Sequence, residues 1–209
     1  RAGPFMSKSP NRHNKIFMRI EPLTPEVIEL IRTGKIHENM DKKEMAMILR
    51  EKGWATDESR KVVALDERGN LFVDATKGVQ FLQESLDSMR AGFVDVMLNG
   101  PLAYEYCRGL KVILHHYVPH EDPAHRTYAQ LMPATRRGIL GATLSAKPVL
   151  LEPILGIEVK CTAEQIGAVS GVISSKRGKM LNVEQKGILT MIDGEVPAAE
   201  TFDLSQSMR

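Results

Sequence analysis

The sequence predicts an α+β fold in two units, and three observations support this. Strand-like runs and segments of helical periodicity are interspersed along the chain. A stretch with two prolines, KPVLLEP, separates a longer first part from a shorter second part whose elements run β-α-β-β. Hydrophobic residues make up 43% of the 209 residues, enough for a core in each part. We therefore predict domains at residues 1–147 and 148–209.

The first part opens with a polar, turn-rich segment, residues 1–15, that leads into the strand IFMRIEPL. Two helices are predicted next. Thr24 and Pro25 are typical of a helix start, and Asp41 with Glu44 forms a capping-box-like start for the second helix. KVVALDERGNLFVDAT then predicts two short strands around a Gly-Asn turn.

Three further elements complete the first part. Apolar residues recur at helical spacing from Val79 until NGPL ends that helix. LKVILHHYV has the composition of a strand, and a helix, MPATRRGILGATLSA, follows with Pro133 near its start. HEDPAHRTYAQ, residues 120–130, therefore connects a strand to a helix, and such connections commonly display functional side chains.

The second part contains the strand ILGIEVKC, a helix capped by Thr162, a strand pair around Lys186-Gly187 and the start of another helix. This order fits a ferredoxin-like split β-α-β fold, which needs one more strand after the last helix. We therefore expect a C-terminally truncated domain. Its exposed sheet edges would favour edge-strand dimerisation.

Composition limits the classes of function. The net charge is only +2, so any nucleic-acid surface must be local. Cys107 and Cys161 lack a partner motif, which fits small buried residues in a reduced, cytoplasmic protein. The most apolar region, residues 139–159, is interrupted by charges and prolines, and the N-terminus has no signal-peptide core. We expect no membrane partner.

The loop at residues 120–130 contains two histidines and two carboxylates, which raises the question of a metal site. In the zinc-peptidase motif H-E-x-x-H, the two histidines lie four residues apart on a helix. Here His125 follows His120 by five residues with Pro123 between them, so that motif is excluded. A loop-borne metal site remains open as an alternative. It would be a metal-dependent hydrolase with the ligands His116, His120, Glu121, Asp122 and His125.

Four motifs occur in order along nearly the whole chain: SKSPNRHNK, NGPLAYEYCRGLKV, HEDPAHRTYAQLMPATRR and LLEPILGIEVKCTAEQIGAVSGVISSKRGKML. Together they resemble the C-terminal half of the archaeal and eukaryotic elongation factor 2 family, the translocation GTPases of the ribosome. The resemblance implies that residues 1–147 are a fourth domain with a ribosomal protein S5 domain 2-like fold, its first strand lying upstream of Arg1. Residues 148–209 would be a truncated, ferredoxin-like fifth domain.

The resemblance implies a role in translation. The family's fourth domain enters the ribosomal decoding site and promotes GTP-dependent translocation of tRNA and mRNA. No G-x-x-x-x-G-K-[ST] loop occurs in this chain, so we expect no enzyme activity and no cofactor here, with GTP and Mg²⁺ bound by the rest of the factor. The implied partners are the ribosome, through its decoding-region rRNA, and the diphthamide biosynthesis enzymes. A free-standing RNA-binding module is a further alternative.

The resemblance also assigns residues at the end of the fourth domain. His125 corresponds to the histidine that the family converts to diphthamide, which toxins then ADP-ribosylate. SKSPNRHNK carries three cations and no carboxylate, as suits a surface that meets phosphates. The residues expected to contact RNA are Lys8, Asn11, Arg12, His13, Asn14, Lys15 and Arg126.

This loop departs from the family pattern at two places. Pro123-Ala124 precedes His125 where relatives usually carry Ile, and Thr127 follows Arg126 where they usually carry Gly. Thr adopts a positive φ less readily than Gly. We therefore expect a stiffer or differently shaped loop.

Overall fold

The computed structural model describes residues 1–208, which form two compact units that divide between Val149 and Leu150. The first unit contains a five-stranded mixed sheet and the second a three-stranded antiparallel sheet. The predicted α+β class is therefore confirmed.

The first unit's strands are β1 (Ala2–Lys8), β2 (Lys15–Pro22), β3 (Val62–Asp66), β4 (Asn70–Asp74) and β5 (Leu110–Val118). They lie in the order β1-β2-β5-β4-β3, and only β4 and β5 are parallel. The prediction for residues 1–15 was wrong because it left out β1. Only Ser7 of β1 is buried, so this edge strand lacks an alternating apolar pattern and depends on backbone pairing with β2.

The helices of the first unit are α1 (Pro25–Arg32), α2 (Lys42–Glu51), α3 (Thr56–Ser59), α4 (Leu82–Leu98) and α5 (Tyr128–Ser145). Asp41 caps α2 as predicted, since its side chain accepts hydrogen bonds from two backbone N–H groups. Thr24 makes no such side-chain bond. Helix α5 begins four residues earlier than predicted, so Pro133 lies inside it rather than near its start.

The central strands are buried on both faces, which gives the first unit two cores. Phe72 of β4 stacks on Phe93 of α4 with ring centroids 5.6 Å apart, in the core that α4 and α5 form with the sheet. Leu71, its neighbour in β4, faces the other core, which contains Val27 of α1 and Leu49 of α2. Adjacent residues of a strand point to opposite faces, so β4 is apolar without alternation.

Strand β5 is irregular where His115 and His116 occur. Phe17 pairs with His116 and Met18 with Leu114, which leaves His115 as an extra residue in the ladder. Both histidines are exposed, whereas regular alternation predicted opposite faces. The bulge is the physical reason for the difference.

The second unit contains β6 (Ile154–Cys161), α6 (Ile166–Ser175), β7 (Lys179–Lys186), β8 (Leu189–Pro197) and the short α7 (Leu204–Ser207). The strand order is β6-β8-β7, so β8 lies between the two strands that precede it in sequence. Val169 and Ile173 of α6 pack with Ile192 and Val196 of β8. No helix within residues 1–208 has the length and apolarity needed to cross a membrane.

Neither cysteine has the character of a nucleophile. Burial, followed by the nearby Asp66 carboxylate, raises the pKa of Cys107 to about 11, so its thiol stays protonated near neutral pH. Cys161 is only 6% exposed in the core of the second unit. Both are free thiols.

The contact between α4 and α5 depends on a glycine. A Cβ at Gly92 would lie 2.9 Å from both Met132 O and Thr135 Cβ, and a backbone oxygen cannot move aside cheaply. We expect Gly92→Ala to lower the free energy of unfolding of the first unit by about 1–3 kcal/mol, because the helices must separate. Chemical denaturation followed by circular dichroism measures this.

Gly167→Ala in α6 is the matched control, since nothing lies within 4 Å of the added Cβ. It should be neutral or stabilising by up to about 1 kcal/mol through helix propensity. Equal effects of the two substitutions would contradict the packing explanation.

Candidate nucleic-acid interface

Two loops meet at one end of the first unit. Residues 9–14 join β1 to β2, and residues 119–127 join β5 to α5. Because β2 pairs with both β1 and β5, the two loops come together at the same end of the sheet. We call residues 8–15 and 119–127 the tip.

Hydrogen bonds from two asparagines tie these loops together. The side-chain amides of Asn11 and Asn14 both donate to the backbone oxygen of His125, at 3.1 and 2.7 Å. The side-chain oxygen of Asn14 accepts from the backbone N–H of His120 at 3.0 Å. The backbone N–H of Asn11 donates to the side chain of Gln130 in the first turn of α5. The position of His125 is therefore fixed from the neighbouring loop.

Asn14 corrects one of the expectations for RNA contact. Its exposed fraction is 0%, and its side chain is fully occupied by the backbone of the other loop and by Ser9. It presents no surface to a ligand. A polar residue in a basic loop led to the prediction of RNA contact. Because Asn14 is buried and hydrogen-bonded, its role is structural.

Arg126 corrects a second expectation, because it is only 7% exposed. Its guanidinium carbon lies 4.1 Å from the centroid of the Phe81 ring, and its Nη1 atom is 3.2 Å from the Glu84 carboxylate. Both partners belong to the start of α4, which sequence spacing could not connect to the loop. Arg126 therefore anchors the tip to α4.

Three imidazole rings pack against one another at the tip. The ring centroids of His13, His120 and His125 are 4.5–4.9 Å apart. The Nδ1 atom of His120 accepts a hydrogen bond from the backbone N–H of Asp122 at 3.1 Å, so its proton is assigned to Nε2. Sequence reasoning did not place His13 beside the other two, because that contact depends on how the two loops pack.

The ligand set of the metal-dependent hydrolase is not assembled. His116 lies on the bulged strand against Phe17, with ring centroids 5.6 Å apart, rather than with His120 and His125. Asp122 accepts from the N–H of Ala124 and caps the short 3-10 turn Pro123–His125. Among residues 1–208, no group of three or more His, Cys, Asp or Glu has the arrangement to hold a metal ion.

The remaining predicted contact residues are at the surface. Lys8, Arg12, His13 and Lys15 are exposed, and Asn11 is half-buried. None of the ion pairs within residues 1–208 includes Lys8, Arg12 or Lys15. These three cations are therefore available to an anionic partner.

Thr127 causes no strain in the tip. Its φ of −67° and ψ of 165° are an extended backbone conformation that any residue adopts. It directly precedes α5 and makes no side-chain capping bond. This departure from the family pattern is thus accommodated by an ordinary backbone conformation.

Comparison with known proteins agrees with this architecture. The family model for elongation factor G, domain IV, matches residues 34–147, and the model for the elongation factor G C-terminus matches residues 149–209. The chain is 54% identical to elongation factor 2 of Cenarchaeum symbiosum over 98% of its length. It is 50% identical to elongation factor 2 of Sulfurisphaera tokodaii and 48% identical to that of Sulfolobus acidocaldarius, also over 98% of its length.

The chain spans 28% of the length of each of these relatives. Neither the hydrolase nor the free-standing RNA-binding module is favoured by these matches. Since one family model covers more than half of the chain and these relatives match nearly all of it, the chain belongs to the elongation factor G and elongation factor 2 family.

Proposed function

We propose that this chain is the domain IV and domain V portion of a translocation factor, and that its tip enters the ribosomal decoding site as tRNA and mRNA move. The observation that carries this proposal is the group of three exposed cations, Lys8, Arg12 and Lys15, at the β1–β2 connection, which hydrogen bonds tie to the neighbouring loop. Cations without carboxylate partners are suited to the phosphates of RNA.

The proposal divides the chain at residues 1–147 and 148–209. The relatives are named elongation factor 2, and the matched regions correspond to domain IV and the C-terminus of elongation factor G. GTP and Mg²⁺ would act in the remainder of the full-length factor, which would work in the cytoplasm. The rRNA of the decoding region, tRNA and mRNA are its proposed partners.

We propose His125 as the site of a diphthamide-type modification by the diphthamide biosynthesis enzymes. Its ring is half-buried against the rings of His13 and His120, while its backbone oxygen is held by two asparagine amides. A modification that adds positive charge at this point would extend the cationic surface toward RNA. ADP-ribosylation by toxins would require that modification first.

We also propose that two copies of the chain pair along an exposed edge of the second unit's sheet. Strand β6 is an edge strand, and its first residues, Ile154 and Leu155, are 53% and 46% exposed. An exposed apolar edge offers unpaired backbone groups to a second chain.

Neutralising the tip tests the proposed RNA contact. In the full-length factor, Lys8→Ala/Arg12→Ala/Lys15→Ala should slow translocation and leave GTP binding unchanged, because only the tip loses charge. The slope of log affinity for ribosomes against log salt should fall by about 0.7–0.9 for each lost phosphate contact. Lys35→Ala/Lys77→Ala/Lys147→Ala is the control, which removes the same charge elsewhere and should translocate normally. Unchanged translocation by the tip variant would show that Lys8, Arg12 and Lys15 have no role in the function.

The role of Asn14 is tested by removing its side-chain amide. Asn14→Ala should cost about 1–3 kcal/mol of unfolding free energy, because the backbone groups of His120 and His125 lose a buried partner. Urea denaturation measures the loss. Asn39→Ala is the control at an exposed position and should change stability by less than about 0.5 kcal/mol. An equal loss in the two variants would show that Asn14 does not hold the loops.

The modification is tested by mass spectrometry of the protein from its native source. The intact mass should exceed that of the unmodified chain, and fragment spectra should place the added group on His125. His13 and His120, whose rings contact His125, should appear unmodified in the same spectra and serve as internal controls. An unmodified His125 would refute the modification without affecting the proposed RNA contact.

A further inference from the structure

A second basic surface lies on α2, in a part of the first unit that shares no residue with the tip. A cleft of about 760 Å³ has four cations around it, Lys42, Lys43, Arg50 and Arg60. Its apolar lining comes from Ala46 and Met47. We call these six residues, together with Glu44, which also lines the cleft, the basic cleft.

Helix geometry explains why α2 presents these side chains together. Lys42, Ala46 and Arg50 are spaced four residues apart, and Lys43 and Met47 lie beside them, so the five residues cover an arc of about 140°. Met45 and Leu49 face the core and fix this arc toward the surface. Arg60 follows α3 and contributes from a different element.

The cations of the basic cleft are free to act on a ligand. No ion pair within residues 1–208 includes Lys42, Lys43, Arg50 or Arg60, and all four are exposed. The cleft's lining contains one carboxylate, Glu44, so four positive charges and one negative charge leave a net charge of +3.

Several other basic residues of the first unit are paired with carboxylates. Arg32 lies 3.5 Å from Glu29, Arg68 lies 3.2 Å from Asp66, and Arg90 lies 3.0 Å from Glu38. The contrast matters because the whole chain carries a formal net charge of only +2. The four unpaired cations of the basic cleft line a single surface, so positive charge is locally dense there despite the low net charge.

We infer that the basic cleft binds the phosphate backbone of RNA. Its one large exposed apolar side chain is Met47, at 51% exposure, whereas an acidic amphipathic peptide would need several apolar anchors along the groove. Lysines supply point charges for phosphates, and arginines supply paired donors. The inference rests on the proposed function, which places the chain among ribosomal RNA, and it adds a contact separate from the tip.

Charge reversal in the full-length factor tests the inference. Lys43→Glu/Arg60→Glu changes one cation of α2 and one that follows α3, while Lys77→Glu/Lys179→Glu makes the same charge change at two exposed positions outside the cleft. A fluorescein-labelled RNA hairpin is the probe, titrated by fluorescence anisotropy at several salt concentrations. Poly-glutamate of similar charge is the competing probe for an acidic protein partner.

The cleft variant should bind the hairpin about tenfold more weakly than the control variant, and its salt slope should fall by about 1.5 for two lost contacts. Equal binding by the two variants would overturn the inference. A loss of poly-glutamate binding with unchanged RNA binding would also overturn it, in favour of an acidic protein.

The tip variant, Lys8→Ala/Arg12→Ala/Lys15→Ala, separates this inference from the proposed function. Normal translocation by the tip variant together with weak RNA binding by the cleft variant would refute the tip's role and support the cleft. Slow translocation by the tip variant together with normal RNA binding by the cleft variant would support the tip's role and refute RNA binding by the cleft.

Discussion

The side-chain amide of Asn14 is the contact on which the geometry of the tip depends. It donates to the backbone oxygen of His125 and accepts from the backbone N–H of His120, so one buried residue sets the position of both histidines. Buried polar groups are costly without partners, which makes this arrangement selective for one pairing of the loops. The packing of His13 against the other two rings follows from the same pairing.

The sheet provides the base for this contact. Strand β2 pairs with β1 on one side and β5 on the other, which brings a hairpin loop beside a strand-to-helix connection. Arg126 then attaches the connection to α4 through Phe81 and Glu84. Loops held by rigid elements on several sides can present charges at fixed positions, and this reduces the ordering cost of binding.

The positions of the unpaired cations in this protein matter more than its net charge. Its net charge of +2 gives little sign of an RNA-binding surface. Many cations are neutralised by nearby carboxylates, whereas Lys8, Arg12 and Lys15 of the tip and the four cations of the basic cleft have no such partner in the part of the chain that the structure describes. The proposed function therefore depends on local unpaired charge, which the net charge of the whole chain does not reveal.

The sequence by itself determined most of the elements. Apolar periodicity and helix-start signals located α1 and α2, strand composition located β5 with its bounds, and the ordered motifs indicated the family. Tertiary structure alone decided the rest. Strand β1 has no apolar alternation and depends on pairing with β2. The bulge in β5 exposes both His115 and His116. Asn14 and Arg126, which were expected to contact RNA, are buried and have structural roles. Residue type and spacing indicate local preferences for helix or strand. Burial and contacts between distant segments are decided only when the chain packs into its tertiary structure.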